Sequence, residues 1–215
     1  MDQEKDLQAA VKELLDAVAI CVTPMNKREK LKEEGCLYFE IADIMFHYYI
    51  VSVENGEIRK KAIFKRSLTE KLDISEEEIR EIALKNTMKS YPVKVMGMSE
   101  VLSKYEFCDP GEFYLDGHEF RWIVTTEGHY NGATALAYPG VLNQIADQMG
   151  DDLRIIPSSV HECIIVPDSI VSHESAQDCR EMITFVNNLE LPEDERLSDH
   201  AYIFRRDTGK LEVMA

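Results

Sequence analysis

The sequence predicts an α+β fold, mostly antiparallel strands and hairpins packed with about four to five helices. Two observations carry that prediction. The clearest strand pairs are hairpins, one around Asn55-Gly56 and one around residues 206–210. Helical and strand patterns also alternate irregularly, without the regular strand–helix–strand order of a doubly wound parallel sheet.

Residues 3–18 read as an amphipathic helix, because Leu7, Val11, Leu14, Leu15 and Val18 recur at helical spacing. A charged loop follows at Asn26-Lys27-Arg28-Glu29-Lys30, with room for a short helical turn. From Ile44 the period changes to two. Ile44, Phe46, Tyr48 and Ile50 fall on one side, and Met45, His47, Tyr49 and Val51 on the other, as in a strand covered on both faces. Asn55-Gly56 supplies the positive φ angles of a tight turn, and Glu57 to Phe64 is the return strand.

The best-signalled helix starts at Ser75, which forms a capping box with Glu78, while Ile74 and Ile79 are placed as a hydrophobic staple. Ile79, Ile82 and Ala83 form its inner face, and Pro92 follows its end. Ser99 to Tyr105 reads as a short helix and Asp109-Pro110-Gly111 as a turn. Phe120 to Thr126 reads as a strand, Tyr130-Asn131-Gly132 as a turn, and Gly132 to Tyr138 as a strand or a tight packing segment. Pro139 starts a helix carrying Leu142, Ile145, Ala146 and Met149, with Gly150 as its stop. Leu153 to Pro157 and Cys163 to Pro167 are two apolar runs. Joined as one strand they would exceed the usual length of about 5–6 residues, so a hairpin or bend is expected at 158–162. A helix over Ser175 to Leu189 places Cys179, Met182, Ile183 and Val186 inward, and a last hairpin pairs Ala201 to Phe204 with Leu211 to Met214.

The chain has 215 residues, 45% hydrophobic and 30% charged, as suits a globular protein. It is read as a single domain, 1–215, with two lobes dividing near residues 90–118 as the alternative. Lys and Arg number 24 and Asp and Glu 40, a net charge of −16. Affinity for nucleic acid is largely electrostatic and needs a positive footprint, so this balance argues against such a partner. An anionic membrane surface is repelled for the same reason. No window approaches the run of about 18 apolar residues that a membrane span needs. The opening Met1-Asp2-Gln3-Glu4-Lys5-Asp6 lacks the basic and then apolar pattern of a signal peptide. Cys21, Cys36, Cys108, Cys163 and Cys179 are odd in number and include no Cys-x-x-Cys pair. They read as scattered, reduced, mostly buried thiols of a cytoplasmic protein.

The stretch Ile155-Ile156-Pro157-Ser158-Ser159-Val160-His161-Glu162-Cys163-Ile164-Ile165-Val166-Pro167 resembles a bacterial family of domains of unknown function. That family's pattern runs roughly Leu-Pro-Ser-Ser-Ile/Val-His-Glu-x-Ile-Ile-x-Pro. Gly132-Ala133, the helix start Tyr138-Pro139-Gly140-Val141-Leu142, and Leu197-Ser198-Asp199 also match, as does the front half from the capped helix at 75 to Asn86-Thr87. The chain departs at Ile156, where Leu is usual, and at Glu127, where Asn tends to follow Thr. The resemblance covers most of the chain. It implies a bacterial protein with the family's fold, and it brings no activity with it.

Ser158, Ser159, His161 and Glu162 form the one dense set of reactive groups and are the candidate binding residues. In a catalytic reading, His161 is a base for a serine hydroxyl, with Glu162 in the same site. A triad is defined by geometry, however, and groups this close in sequence rarely converge on one another. A bend whose serines bond nearby backbone groups accounts for the same residues. Cys163 opens an apolar run and reads as a buried, inert thiol. The His-Glu pairs at 118, 161 and 173 lack a second His four residues on, so no metal is expected. Asp207-Thr208-Gly209 lies in a hairpin turn, without the buried partner a catalytic Asp needs. Arg59, Lys60, Lys61, Lys65 and Arg66 make either a local site for phosphate or an acidic partner, or a lysine-protected edge strand. There is no glycine-rich phosphate loop, and no cofactor is expected.

The reading that follows is a cytosolic, non-enzymatic module that binds or regulates a protein or small-molecule partner. The alternative is a small hydrolase or ligand-binding enzyme centred on Ser159, His161 and Glu162. A nucleic-acid-associated factor using the basic strand is a third reading, which requires steeply salt-dependent binding.

Overall fold

The computed structural model describes residues 2–54, 57–103, 114–115 and 118–215. Helix α1 (Asp2–Asp16) is followed at once by strand β1 (Val18–Val22). Val18 therefore opens a strand, where the helical spacing predicts the last turn of a helix. The reason is burial: all five residues of β1 are buried, and a short continuous apolar run covered on both sides carries no period to read. The charged loop becomes a 3-10 turn at Met25–Lys27 and helix α2 (Arg28–Glu33).

The first sheet is built on the long strand β3 (Ile44–Glu54). β1 runs antiparallel along one edge, with Cys21 opposite His47. Along the other edge β2 (Tyr38–Ile41) and β4 (Glu57–Ile63) lie end to end, both antiparallel to β3. Three main-chain bonds make the handover: Tyr48 N–H to the Leu37 carbonyl at 3.1 Å, Leu37 N–H to Phe64 at 2.9 Å, and Phe64 N–H to Tyr48 at 2.9 Å. The predicted 44–64 hairpin is present; its Asn55-Gly56 turn lies outside the described residues.

The outer edge of β1 is closed by threonines. Ile20 N–H donates to Thr87 Oγ1 at 2.9 Å and Val22 N–H to Thr134 Oγ1 at 3.1 Å. Buried amides need acceptors, and here two hydroxyls stand in for a further strand.

The chain then forms α3 (Ser67–Leu72), α4 (Glu76–Ser90), β5 (Val93–Gly97) and α5 (Met98–Leu102). The capping box of α4 is as predicted: Ser75 Oγ accepts from Glu78 N–H at 3.2 Å, and Ser75 N–H donates to Glu78 Oε2 at 3.0 Å. The Asp109-Pro110-Gly111 turn lies outside the described residues. A two-stranded ribbon, β6 (Tyr114–Leu115) and β7 (His118–Glu119), precedes β8 (Trp122–Thr126). Gly132–Ala137 is a 3-10 segment with every residue buried, so it is the packing segment and not a strand. Helix α6 (Val141–Met149) stops at Gly150, whose φ is 74°.

Strands β9 (Leu153–Pro157) and β10 (Cys163–Pro167), helix α7 (Ala176–Glu190), and strands β11 (Tyr202–Arg205) and β12 (Lys210–Val213) complete the chain. The second sheet has the order β12-β11-β9-β10-β8-β5, and every pair is antiparallel. The α+β class with antiparallel sheets is thus as the sequence predicts.

One buried cluster takes in Val18, Ile20, Phe46 and Tyr48 of the first sheet, Ile79 and Ala83 of α4, and Leu153, Ile155, Ile165 and Phe204 of the second sheet. On the outer face of the second sheet, Cys179 and Ile183 of α7 pack against Ala201, Ile156 and Met214. Here the structure corrects the sequence reading. Met182 and Val186, expected inward, are 46% and 41% exposed. Helix α7 touches the sheet along one narrow row, Cys179, Ile183 and Asn187, four residues apart. Asn187 donates to the Ser198 carbonyl at 3.1 Å and to Asp199 Oδ1 at 2.8 Å, so the row ends in polar contacts.

Arg154, inside the apolar run of β9, is buried on that same outer face. Its guanidinium lies 2.7 Å from Asp168 Oδ1 and donates to the Val171 carbonyl at 2.7 Å, tying β9 to the segment before α7. Among the described residues, no helix is long and apolar enough to cross a membrane.

Candidate functional site

The bend at 158–162 joins β9 to β10 and is fixed through its main chain. Ser158 and Ser159 N–H both donate to the Glu162 carbonyl, at 3.2 and 3.1 Å. The buried Ser159 Oγ accepts from His161 N–H at 3.0 Å. Three neighbours pin the bend from outside. Thr125 Oγ1 donates to the His161 carbonyl at 2.7 Å, Ala133 N–H to the Val160 carbonyl at 3.1 Å, and Val160 N–H donates to the Glu195 carbonyl at 2.8 Å.

These bonds aim the His161 ring. Its Nδ1 accepts from Asn131 N–H at 3.1 Å, and Asn131 is in the left-handed region with φ 52°. Accepting there requires a lone pair on Nδ1, so the neutral ring carries its proton on Nε2. Nε2 stands 3.8 Å from Glu195 Oε1, beyond direct hydrogen-bond range. The Tyr130 ring lies beside it, centroids 5.8 Å apart.

His161 thereby faces a cleft of about 340 Å³. The floor is the face of the first sheet that carries Cys21, His47 and Tyr49. His47 Nδ1 shares a hydrogen bond of 2.8 Å with the buried Thr23 hydroxyl. Tyr130, Asn131 and Val160 form the wall around His161, while Lys27, Asp194 and Glu195 line the cleft as its charged groups. Lys27 Nζ lies 3.9 Å from Asp194 Oδ2. Burial holds the Tyr49 phenol well above the usual range, so it stays a neutral hydroxyl. Behind the cleft is a smaller hollow of about 10 Å³, which shares Cys21, Tyr49, Tyr130 and Asn131 with it. Thr126 lines that hollow, and its Oγ1 is buried with no hydrogen-bond partner among the described residues.

Of the four residues singled out from the sequence, the structure brings His161 to the cleft. Ser158, Ser159 and Glu162 shape the bend and do not line it. Among the described residues no hydrogen bond joins Ser159 Oγ to the His161 ring. Cys163 is fully buried; burial first, and then the Glu162 carboxylate, push its thiol far above the usual range, so it is no nucleophile at neutral pH. Asp207-Thr208-Gly209 is an exposed turn closed by Gly209 N–H to the Arg205 carbonyl at 2.8 Å. Of the basic stretch, Lys65 and Arg66 are exposed and Arg66 pairs with Glu76, whereas the side chains at 59–61 lie outside the description. No group of three or more His, Cys, Asp or Glu among the described residues is placed to hold a metal ion.

Sequence reasoning did not single out His47, Tyr49, Tyr130, Asp194 or Glu195 as site residues. The pairing of Cys21 with His47 is invisible until β1 is seen to be a strand. Glu195 is one of many acidic residues, and the bonds from Val160 N–H to its carbonyl and from Met25 N–H to the Arg196 carbonyl hold its segment beside the cleft. A second polar cluster lies elsewhere: His200 Nδ1 is 2.7 Å from Asp43 Oδ2, Tyr202 donates to Asp43 Oδ1, and Arg28 donates to the Asp43 carbonyl at 2.9 Å. It links the β2–β3 turn to β11.

A family model described as a family of unknown function, DUF5688, matches residues 5–206. No curated protein and no solved structure matches the chain.

Proposed function

The chain belongs to the DUF5688 family, and from the geometry of its cleft we propose that it is a binding module for a small ligand, not a centre of bond cleavage. One observation carries this reading. The His161 lone pair at Nδ1 is occupied by Asn131 N–H, and the ring offers an Nε2–H donor to the cleft. A hydrolase base must instead direct a lone pair at a hydroxyl or thiol. Ser159, the nearest hydroxyl in sequence, is turned to the main chain, and the buried Cys163 thiol is held neutral. What remains is a concave site with aromatic walls and a few oriented polar groups, the usual make-up of a binding pocket. The buried thiols of Cys36, Cys163 and Cys179, which form no disulfide among the described residues, support a reducing cytoplasm as its compartment, and the sequence resemblance supports a bacterial source.

The test is a titration of ¹⁵N-labelled protein with a chemically mixed set of small fragments. Bound fragments are expected to shift the amide signals of Cys21, Asn131, Val160 and His161. His161→Ala should weaken them by about tenfold, which is the loss of one oriented donor. Fragment affinities untouched by His161→Ala would overturn the reading. So would turnover of an ester, amide or phosphate substrate that His161→Ala abolishes.

A further inference from the structure

We infer that the small hollow behind the cleft is a binding site for one water molecule, which braces the loop carrying Asn131. The hollow gathers side chains from β1, β3, α4, β8 and the 3-10 segment. It leaves about 10 Å³ for the centre of a water-sized molecule, about what one water needs and too little for a larger ligand. Its hydroxyl groups call for that water. Thr87 Oγ1 donates to the Ala83 carbonyl at 2.6 Å and accepts from Ile20 N–H, and the Tyr138 hydroxyl donates to the Tyr91 carbonyl at 2.8 Å. Tyr49 is bonded to Tyr91. Thr134 Oγ1 accepts from Val22 N–H, but its own proton meets no acceptor among the described residues. Thr126, 1% exposed, has a hydroxyl with no partner at all among them. Buried hydroxyl groups are as a rule bonded, and a hollow lined by them is a place for water. A water takes the protons of Thr126 and Thr134 on its two lone pairs. It returns its own protons to lone pairs that the Thr87 and Tyr138 hydroxyls still hold.

What the water joins gives it a role. Thr126 and Thr134 stand at the two ends of the loop that holds Asn131. Between them Gly128, His129 and Asn131 have φ of 86°, 57° and 52°. His129 and Asn131 pay for that left-handed backbone, so the surroundings must hold it in place. The Thr126 carbonyl accepts from His129 N–H at 2.9 Å and the Asn131 carbonyl from Thr134 N–H at 3.0 Å, so each half of the loop is closed by itself. A water bonded to both threonine hydroxyls ties the two halves together. It thereby keeps Asn131 N–H on His161 Nδ1 from behind. Thr126 is a positioning residue in this arrangement, and the arrangement stands whether or not the cleft binds a ligand.

The experiment is a high-resolution crystal structure of the full chain, joined to melting curves and ¹⁵N spectra of the His161 ring in Thr126 variants. Density for one water within hydrogen-bond distance of both Thr126 Oγ1 and Thr134 Oγ1 is expected. Valine keeps the shape of threonine and lacks the hydroxyl. Thr126→Val should lose that density, melt roughly 2–4 °C lower and shift the His161 ring signals. Thr126→Ser keeps the hydroxyl and should retain both the water and the ring signals. A hollow without density overturns the inference. So does a Thr126→Val protein that melts at or above the wild-type temperature, because a dry hollow gains when an unbonded hydroxyl is removed. A water present in the wild type, with His161 signals unmoved in Thr126→Val, overturns the brace. Thr126→Ala is read in the same way for the ring signals if the valine variant does not fold. No ligand enters these measurements, so they stand apart from the fragment titration.

Discussion

Gly132 sits where a side chain has no room. A Cβ there would overlap Thr125 Oγ1 and the His161 carbonyl oxygen. Neither can give way easily, because Thr125 Oγ1 donates to that same carbonyl. Gly132→Ala is expected to destabilise the protein by about 1–3 kcal/mol through overpacking. It should also displace His161, since the bend and the 3-10 segment are in contact at this point. Urea unfolding reads the first effect, and the Asn131 and His161 amide shifts read the second. Wild-type stability with unmoved shifts would contradict this account. At this scale the sequence was informative about the bend and silent about the cleft. Ser158 to Glu162 announce a bend through their polar, backbone-bonding side chains. His47 and Glu195 join the site only through long-range pairing, for which a linear pattern holds no signal.

Helix caps are the most legible features at the level of elements, because a cap is local chemistry. Ser75 with Glu78, and Ser175 with Asp178, each form a full capping box. Glu78 is held below the usual carboxylate range first by Ser75 N–H, and Asp178 first by the Ser175 hydroxyl. A lowered folded-state pKa gives stability that is present above the unfolded-state value and lost as pH falls through the folded one. Ser75→Ala and Ser175→Ala should each cost about 1 kcal/mol near neutral pH. Their deficit against the wild type should shrink as pH falls through the carboxylate range, as followed by urea unfolding across pH. A deficit that does not change with pH would assign the effect to the bonds that the Ser75 and Ser175 hydroxyls accept from the main chain, which no carboxylate titration alters. The inner face of α7 was less legible than its cap. Met182, Phe185, Val186 and Leu189 form an apolar row at helical spacing that points to solvent, beside the buried row Cys179, Ile183 and Asn187. Periodicity identifies an amphipathic helix, but it does not say how wide a stripe the sheet covers. Strands β1, β2 and β5 were not read from the sequence. β1 begins one residue after α1, so its apolar run continues the helical spacing of Leu14 and Leu15 and reads as the helix's last turn.

For the whole molecule, the question is whether the two sheets unfold as one unit or divide near residues 90–118. Strand β5, inside that interval, pairs with β8 of the second sheet. The buried cluster runs from Val22 and Phe46 of the first sheet to Leu153 and Phe204 of the second. Thr87 and Thr134 reach the edge of β1 from either side of the interval. Contacts of this kind couple the sheets, because losing one exposes the apolar face and the amide edge of the other. The protein offers a direct probe. Phe46 is fully buried in the first sheet, and Trp122, the single tryptophan, lies on β8 of the second. Phe46→Ala should cost about 3–5 kcal/mol as a large-to-small core change. With the sheets coupled, Trp122 fluorescence and far-ultraviolet circular dichroism should report one transition, and both midpoints should fall together in the variant. If the chain divides into lobes, Trp122 will keep its wild-type midpoint in Phe46→Ala while circular dichroism splits into two steps.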